Sequence, residues 1–162
     1  MGKRVSEVMK TDVVTISPEM PMADIQRLFV KERFGAVPVL DREERLLGIV
    51  SRSDVVRKFS LEQTFAELSS ADFDAKLGVT DNDDLIGSIG AAAGRRLANV
   101  RAEDLMISDV ITVAPDAPLS EAADSMLERR IHRLPVVQNE RLVGIVSAFD
   151  FMRLYASEAS NA

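Results

Sequence analysis

Cysteine and tryptophan are absent from the 162-residue chain, and histidine occurs once. Without a thiol, disulfide frameworks, thiol nucleophiles, iron–sulfur clusters and thiolate zinc sites are excluded, and cysteine usage assigns no redox compartment. A single histidine also excludes a multi-His zinc centre within one chain. No run approaches the roughly 20 apolar residues of a membrane helix. The start Met1-Gly2-Lys3-Arg4-Val5-Ser6 lacks the apolar stretch of a secretory signal. The expected protein is therefore soluble and cytoplasmic, with no membrane partner. Gly2 and Ser6 fit the short N-myristoylation pattern, but Val5 already reads as part of the ordered fold. Basic excess is lacking as well: the net charge is −6 and no basic stripe is visible, which argues against nucleic acid as a partner. What is present is a 46% hydrophobic share, enough to bury a core.

The chain repeats itself. A shift of 97 residues sets Met9, Asp12, Val13, Thr15, Pro18, Pro21, Pro38 and Val39 on Met106, Asp109, Val110, Thr112, Pro115, Pro118, Pro135 and Val136. After one gap the shift is 96, and Arg45, Gly48, Ile49, Val50, Ser51, Asp54 and Arg57 fall on Arg141, Gly144, Ile145, Val146, Ser147, Asp150 and Arg153. The gap separates Asp41–Arg45 from Gln138–Arg141, where a hairpin turn loses a residue without disturbing its flanks. Each copy reads β-α-β-β-α. Val13–Ile16 and Val110–Val113 are short strand-like runs closed by proline. Helices follow Pro21 (Met22, Ile25, Leu28, Phe29, Val30) and Pro118 (Leu119, Ala122, Ala123, Met126, Leu127). A buried hairpin and a last helix, beginning at Ser51 and Ser147, complete each copy. Pro38 and Pro135 cannot donate to a ladder, so their strands belong at an edge or pair on one side only.

The fold class expected is α/β (α+β): tandem pseudo-twofold repeats packed sheet to sheet, neither stable alone. The boundaries are repeat one at 1–59, a helical insertion at 60–100 and repeat two at 101–162. The insertion's Asp72, Asp74, Asp81, Asp83 and Asp84 fail the alternating calcium pattern, so no metal is expected. Gly90 and Gly94, four apart among alanines, suit close helix packing.

Two local patterns carry chemistry. In Gly48-Ile49-Val50-Ser51-Arg52-Ser53-Asp54 and Gly144-Ile145-Val146-Ser147-Ala148-Phe149-Asp150, a strand ends in Ser and an Asp follows on the first helical turn. One reading is a capping box. The other is a cleft in which the carboxylate accepts from a vicinal diol such as ribose and the Ser holds a sugar or phosphate oxygen. Secondly, repeat two carries Ile131-His132-Arg133-Leu134-Pro135 where repeat one carries Phe34-Gly35-Ala36-Val37-Pro38. His132 and Arg133 offer donors for phosphate; Gly35 and Ala36 offer none. Thr15 and Thr112 end the first runs, either as ordinary strand residues or as hydroxyls at a cleft.

Taken together, the first-run Thr, the strand Pro and the Gly-hydrophobic-hydrophobic-Ser-x-x-Asp ending, present in order in both copies, resemble a pair of CBS domains, the Bateman module, over about residues 4–59 and 101–156. The resemblance implies a pseudo-symmetric module, usually dimerised, with up to two clefts for AMP, ADP, ATP or S-adenosylmethionine. It further implies that Asp54 and Asp150 hold ribose, that Ser51 and Ser147 supply hydroxyls, and that Thr15 and Thr112 lie near the ligand. Val37-Pro38-Val39 and Leu134-Pro135-Val136 would clasp the base through backbone and side chains. His132-Arg133-Leu134-Pro135 resembles the phosphate-binding segment of the regulatory γ subunit of AMP-activated protein kinase.

The function expected is a stand-alone regulatory module that binds an adenine nucleotide, mainly through repeat two, and signals to a regulated partner by changing shape or assembly. No cofactor is required, and a homodimer is expected. An S-adenosylmethionine module and a ligand-free dimerisation module are the alternatives. Enzymatic activity is not expected, because no base–nucleophile pair stands at a recognisable spacing.

Overall fold

The computed structural model describes residues 2–32, 35–62, 94 and 97–159. Of the helical insertion expected at 60–100, residues 63–93 and 95–96, with the aspartates and Gly90, lie outside the described residues, as do Arg33 and Phe34. Along the chain come a 3-10 turn Val5–Glu7, α1 (Met22–Glu32), β1 (Ala36–Leu40), β2 (Leu46–Ser51) and a helix over 52–62, α2. Then follow α3 (Ala102–Leu105), α4 (Leu119–Arg129), β3 (Arg133–Gln138), β4 (Arg141–Ser147) and α5 (Ala148–Ala159). The architecture is mixed α/β with two small antiparallel sheets, β1-β2 and β3-β4.

The chain divides into two compact units built from non-contiguous segments: 1–15, 40–48 and 108–162 in one, 16–39 and 49–107 in the other. In the first unit, Val5 N–H donates to Ala117 O (3.0 Å), and Lys10 and Ile145 exchange both backbone bonds (2.9 Å each). Val5, Leu119, Ala122, Met126, Leu134, Val136 and Val146 form its core. In the second unit, Ile107 and Ile49 exchange the corresponding pair (2.9 and 3.0 Å), around a core of Ile16, Met22, Ile25, Phe29, Val37, Val39 and Val50 among others. Full burial of a Val, Leu, Ile, Phe or Met side chain in these cores contributes about 1.5–3 kcal/mol.

Prolines decide how far the first runs pair. The stretches 13–16 and 110–113, expected as strands, make one parallel bridge each, Ile16 to Val39 and Val113 to Val136. Ile16 N–H donates to Pro38 O (3.0 Å) and Val113 N–H to Pro135 O (3.1 Å). To extend either ladder by one bridge, the proline would have to donate an N–H it does not have. The hairpins lose nothing by this. Pro135 faces Ile145, whose own N–H and C=O point outward to Lys10, so the missing donor lies on the side away from β4.

The helix pattern holds with one correction. Met22, Ile25 and Phe29 are buried on α1, and Leu119, Ala122 and Met126 on α4. Val30 and Leu127, expected on the same face, are 79% and 76% exposed. They stand one residue past the i, i+3, i+7 stripe, 100° farther round the helix. The last helices begin at Arg52 and Ala148, one residue after Ser51 and Ser147, which end their strands.

The hairpin turns differ as the repeat gap requires. Between Gln138 and Arg141 stand only Asn139 (φ 51°) and Glu140 (φ 65°), a pairing of positive φ values suited to a type I′ turn. Between the matching positions Asp41 and Arg45 the other turn has one residue more, and it is held by Asp41, whose Oδ1 accepts from Glu43 N–H (2.9 Å) and Arg45 N–H (2.8 Å).

Candidate functional site

Both strand-to-helix junctions place a carboxylate in the same way. Ser147 N–H (2.9 Å) and its hydroxyl (2.5 Å) donate to one oxygen, Oδ2, of Asp150. Ser51 N–H (2.8 Å) and hydroxyl (2.5 Å) donate likewise to Asp54 Oδ2, and Asp54 N–H returns a bond to Ser51 Oγ (3.3 Å). The capping reading therefore holds in full at Ser51–Asp54 and, at Ser147–Asp150, in its carboxylate half. It consumes one carboxylate oxygen per Asp and leaves Oδ1 for something else. Asp54 and Asp150 are 3% and 5% exposed, the buried acidic side chains among the described residues.

What meets Oδ1 differs. In the second unit Arg57 Nη2 donates to Asp54 Oδ1 at 2.6 Å. In the first, Lys10 Nζ stands 3.7 Å from Asp150 Oδ1, and Arg153, the counterpart of Arg57, makes no ion pair with it among the described residues. Asp150, Lys10 and Arg153 line a groove of about 450 Å³, together with Met9, Leu154 and Ser157. That volume lies within the range of small-molecule clefts, roughly 300–1,000 Å³.

Of the remaining expected residues, Arg133 stands directly across the ladder from Ser147, and neither it nor His132 is among the residues lining the Asp150 groove. His132 is exposed, and its carbonyl accepts from Ala148 N–H (3.0 Å). Leu134 and Val136, and likewise Val37 and Val39, are fully buried core side chains. Residues two apart share a strand face, so these pairs are committed inward and leave mainly backbone for a base. Pro38 and Pro135 are also buried, their carbonyls taken by Ile16 and Val113. Thr15 is half-buried just before the Ile16 bridge.

Thr112 lines a different depression, of about 390 Å³, with Asp41, Arg45, Ser108 and Glu140. There burial pushes the Asp41 carboxyl up, but the Arg45 N–H and guanidinium and the Glu43 N–H outweigh it, and the group is held below its ordinary value. Arg45 is raised in turn by its hydrogen bond to Asp41 (2.7 Å). Sequence reasoning did not single out Lys10. Its counterpart under the repeat shift is Ile107, so self-similarity, which finds matching residues, passes over it.

Among the described residues, no group of three or more His, Asp or Glu is placed to hold a metal ion, and no helix is long and apolar enough to cross a membrane. A family model described as CBS domain matches residues 5–61 and 102–157. The chain belongs to the CBS domain family. The chain is 25% identical over 158 residues to the uncharacterised protein MJ1225 of Methanocaldococcus jannaschii, covering 98% of this chain and 45% of that one. The chain thus spans less than half the length of that relative. Among solved structures, CBSX2, a CBS-pair protein of Arabidopsis thaliana, superimposes in its complex with AMP with a TM-score of 0.70 at 21% identity, covering 98% of this chain and 99% of CBSX2. The CBS domain pair of MJ0100, in complex with 5′-methylthioadenosine and S-adenosyl-L-methionine, gives 0.65 at 20% identity, covering 98% and 99%. At such identity the likeness shows the fold of a CBS pair.

Proposed function

We propose that this CBS pair is a regulatory module, not an enzyme, that binds an adenosine-type ligand, AMP, ADP or ATP, and transmits its presence to a partner protein. The observation that carries the reading is Asp150: a buried carboxylate fixed through one oxygen by the Ser147 cap, on a groove of nucleotide-compatible size. A carboxylate held in this way is preorganised to accept both hydroxyls of a ribose. Arg133, across from Ser147, and His132 supply cationic or donor groups for phosphate, with the backbone of Leu134, Pro135 and Val136 beside them, and Thr112 is reached only by a ligand that extends to the separate depression it lines. Thr15, Val37, Pro38, Val39, Ser51 and Asp54 form the counterpart half. The repeats at 1–59 and 101–162 act as one Bateman module, and the exposed helix residues suit a homodimer.

Isothermal titration of the purified chain with AMP, ADP, ATP and S-adenosylmethionine, alongside thermal melting, tests this. An adenine nucleotide is expected to bind and raise the melting temperature, since a ligand of the folded state alone must do so. Asp150→Ala should abolish the effect while the protein remains folded. Preference for S-adenosylmethionine would replace the nucleotide by the sulfonium ligand, as in the MJ0100 complex. Binding of none of the four at millimolar concentration would refute the reading and leave a structural role.

A further inference from the structure

The two buried aspartates are neutralised by different parts of the chain, although the junctions holding them are near copies. Asp54 is closed from within its own helix: Arg57, one turn on, makes a charge-assisted bond of 2.6 Å to the free oxygen. Asp150 is met from outside its helix. Lys10 belongs to the N-terminal segment, whose backbone bridges Ile145. Ile107 occupies the equivalent place against Ile49 and has no charge to offer Asp54. The same backbone position thus carries a cation on one side and an alkyl group on the other.

The Lys10 contact is a loose one. At 3.7 Å it exceeds hydrogen-bond length, and the lysine side chain is 54% exposed. The carboxylate is buried, but a cation that stands in solvent and beyond hydrogen-bond length is readily exchanged. Lys10 and Arg153 both line the groove beside Asp150, so a ligand that brings hydroxyls to the carboxylate and an anion beyond them satisfies acid and base together. The flexible four-carbon stem of lysine lets the ammonium move from carboxylate to ligand without moving the backbone.

We propose that Lys10 is a ligand-contacting residue that sets the charge this groove accepts: it releases Asp150 to the ribose diol and takes the phosphate of a nucleotide. The inference rests on the nucleotide reading above and adds to it the residue that selects an anionic ligand. It also makes the two halves unequal. The Asp150 half receives the ligand, whereas in the Asp54 half Arg57 already occupies the oxygen a diol would need.

Titration of the full chain with AMP and with adenosine, which share diol and base and differ by the phosphate, tests it. The wild type is expected to bind one AMP per chain. Lys10→Ile, which copies the residue at the equivalent position, should weaken AMP about tenfold or more and leave adenosine within about twofold. Lys10→Arg should retain AMP binding. Thermal melts without ligand should coincide for all three proteins, because the Lys10 side chain lies mostly in solvent. Equal loss of AMP and adenosine, or no loss of either, in Lys10→Ile would overturn the role of Lys10 while leaving nucleotide binding intact. Failure of the wild type to bind either compound would instead remove the nucleotide reading and this inference with it.

Discussion

Asp150→Ala is expected to cost the fold about 2–3 kcal/mol in the absence of any ligand. The carboxylate is 5% exposed, and its Oδ2 accepts both the backbone N–H and the hydroxyl of Ser147. Removing it forfeits a helix cap worth about 1 kcal/mol. It also strands a part-buried N–H and hydroxyl, at about 1–3 kcal/mol. The two figures describe overlapping bonds, so they are not summed in full. With a urea slope of about 2 kcal/mol per molar, the unfolding midpoint should fall by about 1 M. Asp150→Asn keeps a carbonyl oxygen where Oδ2 stands and should recover more than half of the loss. In a double-mutant cycle Ser147→Ala and Asp150→Ala should be strongly non-additive, because either change alone breaks the hydroxyl–carboxylate bond. A midpoint for Asp150→Ala within 0.2 M of wild type, or strict additivity with Ser147→Ala, would show that the cap is not what holds this junction. Were the Asn variant to fold normally yet lose ligand binding, structural and binding roles of the same carboxylate would be separated.

Gly144→Ala places a Cβ 2.8 Å from Met9 Sδ and 2.9 Å from the Lys10 carbonyl, and the second neighbour is backbone that cannot swing aside. A destabilisation of about 1–3 kcal/mol is expected, with faster amide exchange at Lys10 and Ile145; unchanged stability and exchange would mean that the segment yields freely. The Asp41 turn makes a pH prediction. Its carboxyl is depressed in the folded state, so the stabilisation is complete above its unfolded value and is lost as pH falls through the lower folded value, below about 3.8. NMR titration of the Asp41 carboxyl should show a midpoint below the ordinary one, with the Arg45 side-chain signals following it, and a midpoint at or above 3.8 would refute the arrangement.

The repeat was legible because its two copies preserve residues with local jobs. Ser51 and Asp54, like Ser147 and Asp150, act within four consecutive residues, so their spacing alone specifies the cap that the structure displays. The core helices were legible for the same reason, since a 3.6-residue period is a local property; Val30 and Leu127 escaped only by lying at the margin of the stripe. Reading failed where a partner lay far along the chain. That 13–16 and 110–113 pair at a single residue follows from which edge Pro38 and Pro135 present to them, which becomes a constraint only once the partner is known. The bridge from Lys10 to Ile145 spans most of the sequence and leaves no periodic trace.

This last point bears on function more than on fold. Self-similarity draws the eye to what the two halves share, and here the halves share the carboxylate, its cap and the arginine one turn later. A ligand that distinguishes them must use what they do not share. Lys10 against Ile107, and His132-Arg133 against Gly35-Ala36, are substitutions of charge or donor for none at matching positions; Lys10 stands beside Asp150, and Arg133 pairs across the ladder with Ser147, the residue that caps it. Repeat one has additions of its own at the junction, Arg52 and Ser53 against Ala148 and Phe149, but both are turned to internal bonds, Arg52 to the Phe29 carbonyl and Ser53 to the Ser51 hydroxyl. With those spent, the remaining differences argue for a single dominant anion site in repeat two.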